Sequence, residues 1–126
     1  MKLLLDAGAL IALERNDRAM WRRLKDAVAL GEPPVTHGGI VGQAWRGRGP
    51  KQARLATALD HLDIRNLDDA LGRAAGELLS LSRQSDVIDA ALVLLAEDGD
   101  VIATSDLDDL EPLARAADRH IELVRA

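Results

Sequence analysis

Apolar residues follow two rhythms along this chain. One is the short unbroken run. Leu3-Leu4-Leu5 closes on Asp6, and Ala7-Gly8-Ala9-Leu10-Ile11-Ala12-Leu13 follows at once. This pattern predicts a buried strand presenting Asp6 at its C-terminal end, then a tight entry into a helix over about 8–15. The other rhythm is helical. Asn16-Asp17 makes a break, and Asp17 is placed to cap a helix through about Leu30, with Ala19, Met20, Leu24, Ala27 and Val28 on one stripe. Gly31-Glu32-Pro33-Pro34 stops it. Val35-Thr36 is a strand candidate, and His37-Gly38-Gly39 leads into a helix over about 40–46. Gly47-Arg48-Gly49-Pro50 breaks that helix, and another begins near Lys51 with Ala53, Leu55, Ala56 and Leu59.

The second half repeats the alternation. Leu62-Asp63-Ile64-Arg65 is a brief strand candidate, and Asn66 is placed to cap a long helix from about Leu67 to Ser82. Ser85 or Asp86 caps the next, Val87 to Glu97, which is apolar nearly all round and should be buried. Asp98-Gly99-Asp100 turns into a strand, Val101–Thr104. Ser105 is read as the cap of a helix starting near Leu107, with Asp108 in the capping-box position. A last strand falls near Ile121–Val124. Short apolar strands alternating with helices predict an α/β fold: a parallel sheet of four or five strands, helices on both faces and right-handed crossovers. No repeat or linker divides the 126 residues, so one domain is expected.

Composition sharpens this. There is no Phe, Tyr or Cys and only two Trp, so the core must be aliphatic and no disulfide or thiolate chemistry is available. That fits a reducing cytosol, and a cytoplasmic location is the expectation. Met1-Lys2 and the leucines imitate a secretory leader, but Asp6 interrupts them and Glu14 and Arg15 follow closely. No apolar run approaches the ~20 residues that span a bilayer. The net charge of -5 argues against nonspecific nucleic-acid binding. Its distribution is uneven: Pro33 through Leu59 holds no acid but carries Arg46, Arg48, Lys51 and Arg54, while acids crowd at 86–89 and 98–111. A local basic rim, or a metal ion that inverts the local field, is still compatible with RNA.

Four positions place polar groups where strand or helix ends could converge: Asp6, Gln43, Asp89 and Asp106. Asp89 is the most telling, because a carboxylate among Ala, Leu and Val is costly to bury unless something pairs with it. Asp86 lies three residues earlier on the same helical face and should raise its pKa unless a cation sits between them. Taken singly, each acid is explained as well by helix capping. Gly39-x-x-Gly42 lacks the spacing of a nucleotide loop and is better explained by close backbone packing. His37, His61 and His120 are scattered without metal-ligand spacing and read as surface or packing residues.

Three segments together, Leu3–Leu13, then Ser85-Asp86-Val87-Ile88-Asp89-Ala90-Ala91-Leu92, then Val101-Ile102-Ala103-Thr104-Ser105-Asp106, resemble a PIN domain. The chain is most similar to the bacterial VapC-type toxins of toxin–antitoxin pairs, in order and over nearly its whole length. The resemblance implies a three-layer PIN-like fold and an Mg²⁺- or Mn²⁺-dependent endoribonuclease. It implies Asp6, Asp89 and Asp106 as metal-centred catalytic carboxylates, with Asp86, Asp108 and Gln43 as auxiliaries and Thr104 orienting the last acid. Arg46, Arg48, Lys51 and Arg54 would guide the RNA backbone. Implied partners are an RNA substrate, a cognate antitoxin and a second copy of the chain, with Leu10–Leu13 and the helix near Lys51–Leu59 as candidate surfaces.

One position departs from that family. A Glu is usual on the helix after the second strand, and here the segment is Gln43-Ala44-Trp45-Arg46. Gln keeps an oxygen but removes a charge, so the number of metals is open. Two other classes compete: a PIN-like module that only dimerises or holds a partner, favoured by Gln43, and a phosphoacceptor receiver. The receiver wants an acidic pair near the first strand and a Lys after a late strand, and neither is present.

Overall fold

β1 (Leu3–Leu5) is three leucines, and all three are buried. A strand apolar on both faces belongs in the middle of a parallel sheet, and there it lies in this computed structural model, which describes residues 1–126. β1 pairs in parallel with β2 (Val35–His37) through Leu4 and Val35, and with β4 (Val101–Thr104) through Leu3–Val101, Leu4–Ile102 and Leu5–Ala103. β3 (Asp63–Arg65) adds to β2, and β5 (Glu122–Arg125) adds to β4. The sheet is therefore β3-β2-β1-β4-β5, all parallel. The central strands are fully buried and the edge strands partly exposed.

Seven helices connect the strands. α1 (Ala7–Glu14) packs against α2 (Arg18–Ala29), α3 (Gly38–Ala44) and α4 (Pro50–Leu59). α5 (Asp69–Ser82), α6 (Val87–Leu95) and α7 (Leu107–Ala116) pack on one another. The sheet is thus flanked by helices in the three-layer manner of a PIN-like fold. The core is aliphatic as composition requires, with Leu4, Leu5, Leu10, Leu13, Leu24, Ile40, Leu55, Leu92, Ile102, Leu110 and Leu113 almost wholly buried. Leu10 and Leu13 belong to that core and so cannot serve as the partner surface expected of them.

Other expectations shift by a residue or two. α3 begins at Gly38 rather than Ile40, because the His37 ring accepts the Gly39 N–H at 3.1 Å and caps the helix. Asn66 is not the cap of α5: Asp68 takes that place, its carboxylate accepting from Leu71 N at 2.9 Å. Ser105 is not the cap of α7: Asp106 is, with its carboxylate accepting from Asp109 N at 3.3 Å. α6 ends at Leu95, two residues short of Glu97.

Strand order points to a candidate edge for a site. β2 and β3 lie on one side of β1, while β4 and β5 lie on the other. In open α/β sheets, ligands bind beyond the C-terminal strand ends where the order reverses. Here that is the crevice between the ends of β1 and β4.

Candidate functional site

Asp6 follows β1 and caps α1, its carboxylate accepting from Ala9 N at 2.9 Å. Its own N–H bonds to Ala103 O at 3.2 Å, so the residue is anchored to β4 as well. On the other side, the Thr36 hydroxyl donates to Leu5 O at 2.9 Å. Asp6 is only 6% exposed. Burial raises its pKa, and the Thr104 hydroxyl with the Ala9, Ser105 and Gly8 N–H groups opposes that rise without cancelling it. Thr104 also accepts from Asp106 N at 2.8 Å. The Thr104 hydroxyl therefore acts on the charge of the first acid and holds the turn that carries the last.

Gly8 explains how closely the two strand ends approach. A Cβ there would lie 2.0 Å from Ser105 Oγ and 2.4 Å from Ser105 Cβ. Only glycine lets the β4–α7 turn close over the first turn of α1.

Asp89 enters from α6. Asp86 caps that helix, accepting from Ile88 N at 2.9 Å and Asp89 N at 3.2 Å. Burial and the negative charges of Asp86, Asp6 and Asp109 push the Asp89 carboxyl up to about 7. Asp109 itself is raised, first by a side-chain hydrogen bond with Asp106 and then by that residue's charge. The carboxylates of Asp6, Asp86, Asp89, Asp106 and Asp109 thus form one electrostatic group. None of them forms an ion pair with a Lys, Arg or His; the six ion pairs of the protein all lie elsewhere.

His37 supports this group from beneath. Its ring is fully buried, with Nδ1 accepting from Gly39 N and Nε2 2.9 Å from Ile88 O. Those two bonds make Nε2 the protonated nitrogen, and burial lowers the pKa so that the ring stays neutral. The contact ties the end of β2 to the first turn of α6, one residue before Asp89.

The expected residues are not all gathered. Asp108 is exposed and its charge acts on Asp109, and it is Asp109 whose carboxyl bonds with that of Asp106. The missed signal is an overlapping capping pattern: Ser105-x-x-Asp108 and Asp106-x-x-Asp109 are both in the sequence. Gln43 is exposed on α3. Of the basic set, Arg46 donates to Gly42 O at 3.1 Å and Trp45 O at 2.8 Å, and Arg54 donates to Glu14 O at 2.8 Å. Both guanidinium groups thus tie off helix ends. Arg48 and Lys51 are exposed around the start of α4. Gln52, buried nearby, holds the Arg46 and Gly47 N–H groups and bonds to Glu14.

The donor set suits a hard divalent cation in type: carboxylate oxygens, surplus negative charge and no competing base. As the side chains stand, no three of them close into one ligand group. Mg²⁺ does not need that, since it commonly keeps several waters and takes one or two carboxylates.

The comparisons agree with this fold. The chain superposes with a TM-score of 0.71 at 14% identity on a chain in the crystal structure of VapBC2 from Rickettsia felis bound to a DNA fragment from their promoter, covering 98% of this chain and 99% of that one. No family model and no curated protein matches the sequence. No helix is long and apolar enough to cross a membrane.

Proposed function

We propose that this protein is a metal-dependent endoribonuclease of the VapC toxin type, hydrolysing RNA phosphodiester bonds and restrained by a cognate antitoxin. The observation that carries the reading is the unpaired carboxylate group at the β1/β4 crevice. Its mutual repulsion is an arrangement that a bound cation relieves. The VapBC2 likeness supports the fold half of the reading and the idea of an antitoxin partner. A cytoplasmic homodimer completes it.

Asp6, Asp89 and Asp106 would hold Mg²⁺ or Mn²⁺, with Asp86 and Asp109 adding negative charge around them. Such an ion, when bound, acidifies a water and stabilises charge on the scissile phosphate. The chain's own residues set the conditions. Thr104 holds the Asp106 turn at the end of β4. Asp86 anchors the first turn of α6, whose positive end offsets part of the acids' repulsion. Asp89, with a pKa near 7, gives up its proton on binding a cation, so metal affinity rises with pH. Arg48 and Lys51 are the free cations for the RNA backbone, with Arg46 and Arg54 adding field from their anchored positions.

The test is cleavage of labelled RNA by purified protein with Mg²⁺, Mn²⁺ or EDTA. Asp6→Asn and Asp89→Asn should each lower the rate at least about a hundredfold while the fold is retained. Full activity in either variant, or in EDTA, overturns the reading. Gln43 favours the alternative of a catalytically weakened module acting through dimer or partner binding. Calorimetry with Mn²⁺ separates them: no saturable binding to the wild type leaves the module.

A further inference from the structure

α2 carries a second electrostatic feature, opposite in sign to the acids. Arg18, Arg22 and Lys25 recur at i, i+4 and i+7 and so share one face of the helix. All three are exposed, and none has an ion-pair partner. With Asn16, Trp21 and Asp26 they line an open groove of about 660 Å³. Asp26 is the one acid in its wall; Asp17, next to Arg18, is engaged in capping α2 through Ala19 N and Met20 N. The opposite face of α2 anchors the helix through Met20 and Leu24, each 1% exposed. Trp21 is held by its indole N–H on Leu13 O at 3.0 Å, which fixes a half-buried ring in the groove.

We infer that this groove binds the phosphate backbone of a single-stranded nucleic acid, at a place separate from the carboxylate crevice. The C-terminal half of α2 borders Leu3, Val101 and Glu122, the first residues of β1, β4 and β5. The acids lie at the other ends of those strands. Three cations spread over about 10 Å of helix suit successive phosphates, and a fixed aromatic ring beside them offers a stacking surface for a base. The lining also weighs against an acidic protein segment. Protein partners draw affinity from apolar anchors seated in pockets; within this groove Trp21 is the only apolar residue, and the apolar pocket that Trp21 and Lys25 share with Leu24, Val28 and Ala29 is the smaller of the two at about 220 Å³.

The test measures fluorescence anisotropy of labelled oligouridylate with full-length protein carrying Asp6→Asn, in EDTA, so that no cleavage intervenes. Combining Arg18→Gln, Arg22→Gln and Lys25→Gln should weaken binding at least about tenfold at moderate salt and reduce the salt slope by about 2, the loss of three contacts on a single strand. These residues are exposed on a helix that glutamine tolerates, and circular dichroism verifies the fold. Unchanged affinity and slope overturn the inference. So does polyglutamate binding more tightly than oligouridylate, which makes the groove a seat for an acidic protein segment. Failure of the nuclease reading is distinguishable: wild type that cleaves nothing but binds oligouridylate through α2 leaves this site standing.

Discussion

Asp86 accepts the backbone N–H of Asp89 at 3.2 Å while its charge is one of those that push the Asp89 carboxyl up to about 7. One residue therefore both builds the first turn of α6 and loads the acid within it. Asp86→Asn keeps a capping oxygen and removes the charge. The expected outcome is a lower Asp89 pKa with α6 intact, read from the pH dependence of the Asp89 carboxyl carbon shift. An unchanged titration would mean that burial and the charges of Asp6 and Asp109 set it without Asp86.

Asp89 also weakens the fold. Its pKa is raised in the folded state, so between about pH 4 and 7 the native protein keeps a proton that the unfolded chain has released. Stability from this group is present at low pH and lost as pH rises through that window. Asp89→Asn should therefore stabilise the protein above pH 7 by about 2 kcal/mol, a figure discounted because the side chain is partly in water. The gain should vanish below about pH 4. Urea midpoints for both proteins across this range check it.

Gly8→Ala should cost about 1–3 kcal/mol, although alanine is the better helix former, because the new methyl meets Ser105. Adding Ser105→Gly should recover part of the loss. Chemical denaturation of the two variants and the wild type gives the comparison. A Gly8→Ala protein as stable as the wild type would show that the β4–α7 turn yields freely.

His37→Phe keeps an aromatic ring but removes its bonds to the Ile88 carbonyl and the Gly39 N–H, with an expected loss of about 1–3 kcal/mol at neutral pH. Burial lowers the pKa of His37 in the fold, so its stabilising effect is full above about pH 6.5 and falls as pH drops below that. The stability difference between the two proteins should shrink accordingly on acidification. A difference independent of pH would show that the ring is not buried in its neutral form.

Much of this arrangement was legible in the residues, and the exceptions have physical causes. β1 and β4 are short apolar runs closed by polar residues, and their spans matched the pattern. The cap of α7 was not legible, because Ser105 and Asp106 each have an Asp three residues on. The Thr104 hydroxyl holding Asp106 N accompanies the choice of Asp106, and it left Asp109, not Asp108, next to that acid. His37 looked like an isolated imidazole, since its partner Ile88 O is 51 residues away. Arg46 and Arg54 looked like free cations because helix-end carbonyls are invisible until the loops are placed.

The strand order has one more consequence, for the timing of assembly. β1 is synthesised long before β4, with which it pairs on one side. Contacts so distant in sequence form late in folding. A nascent chain that has not reached β4 therefore holds Asp6 with that partner strand missing, and the acids cannot become one site until β4 and Asp106 have been made. Were the protein the ribonuclease proposed above, this order would keep its site unassembled until then.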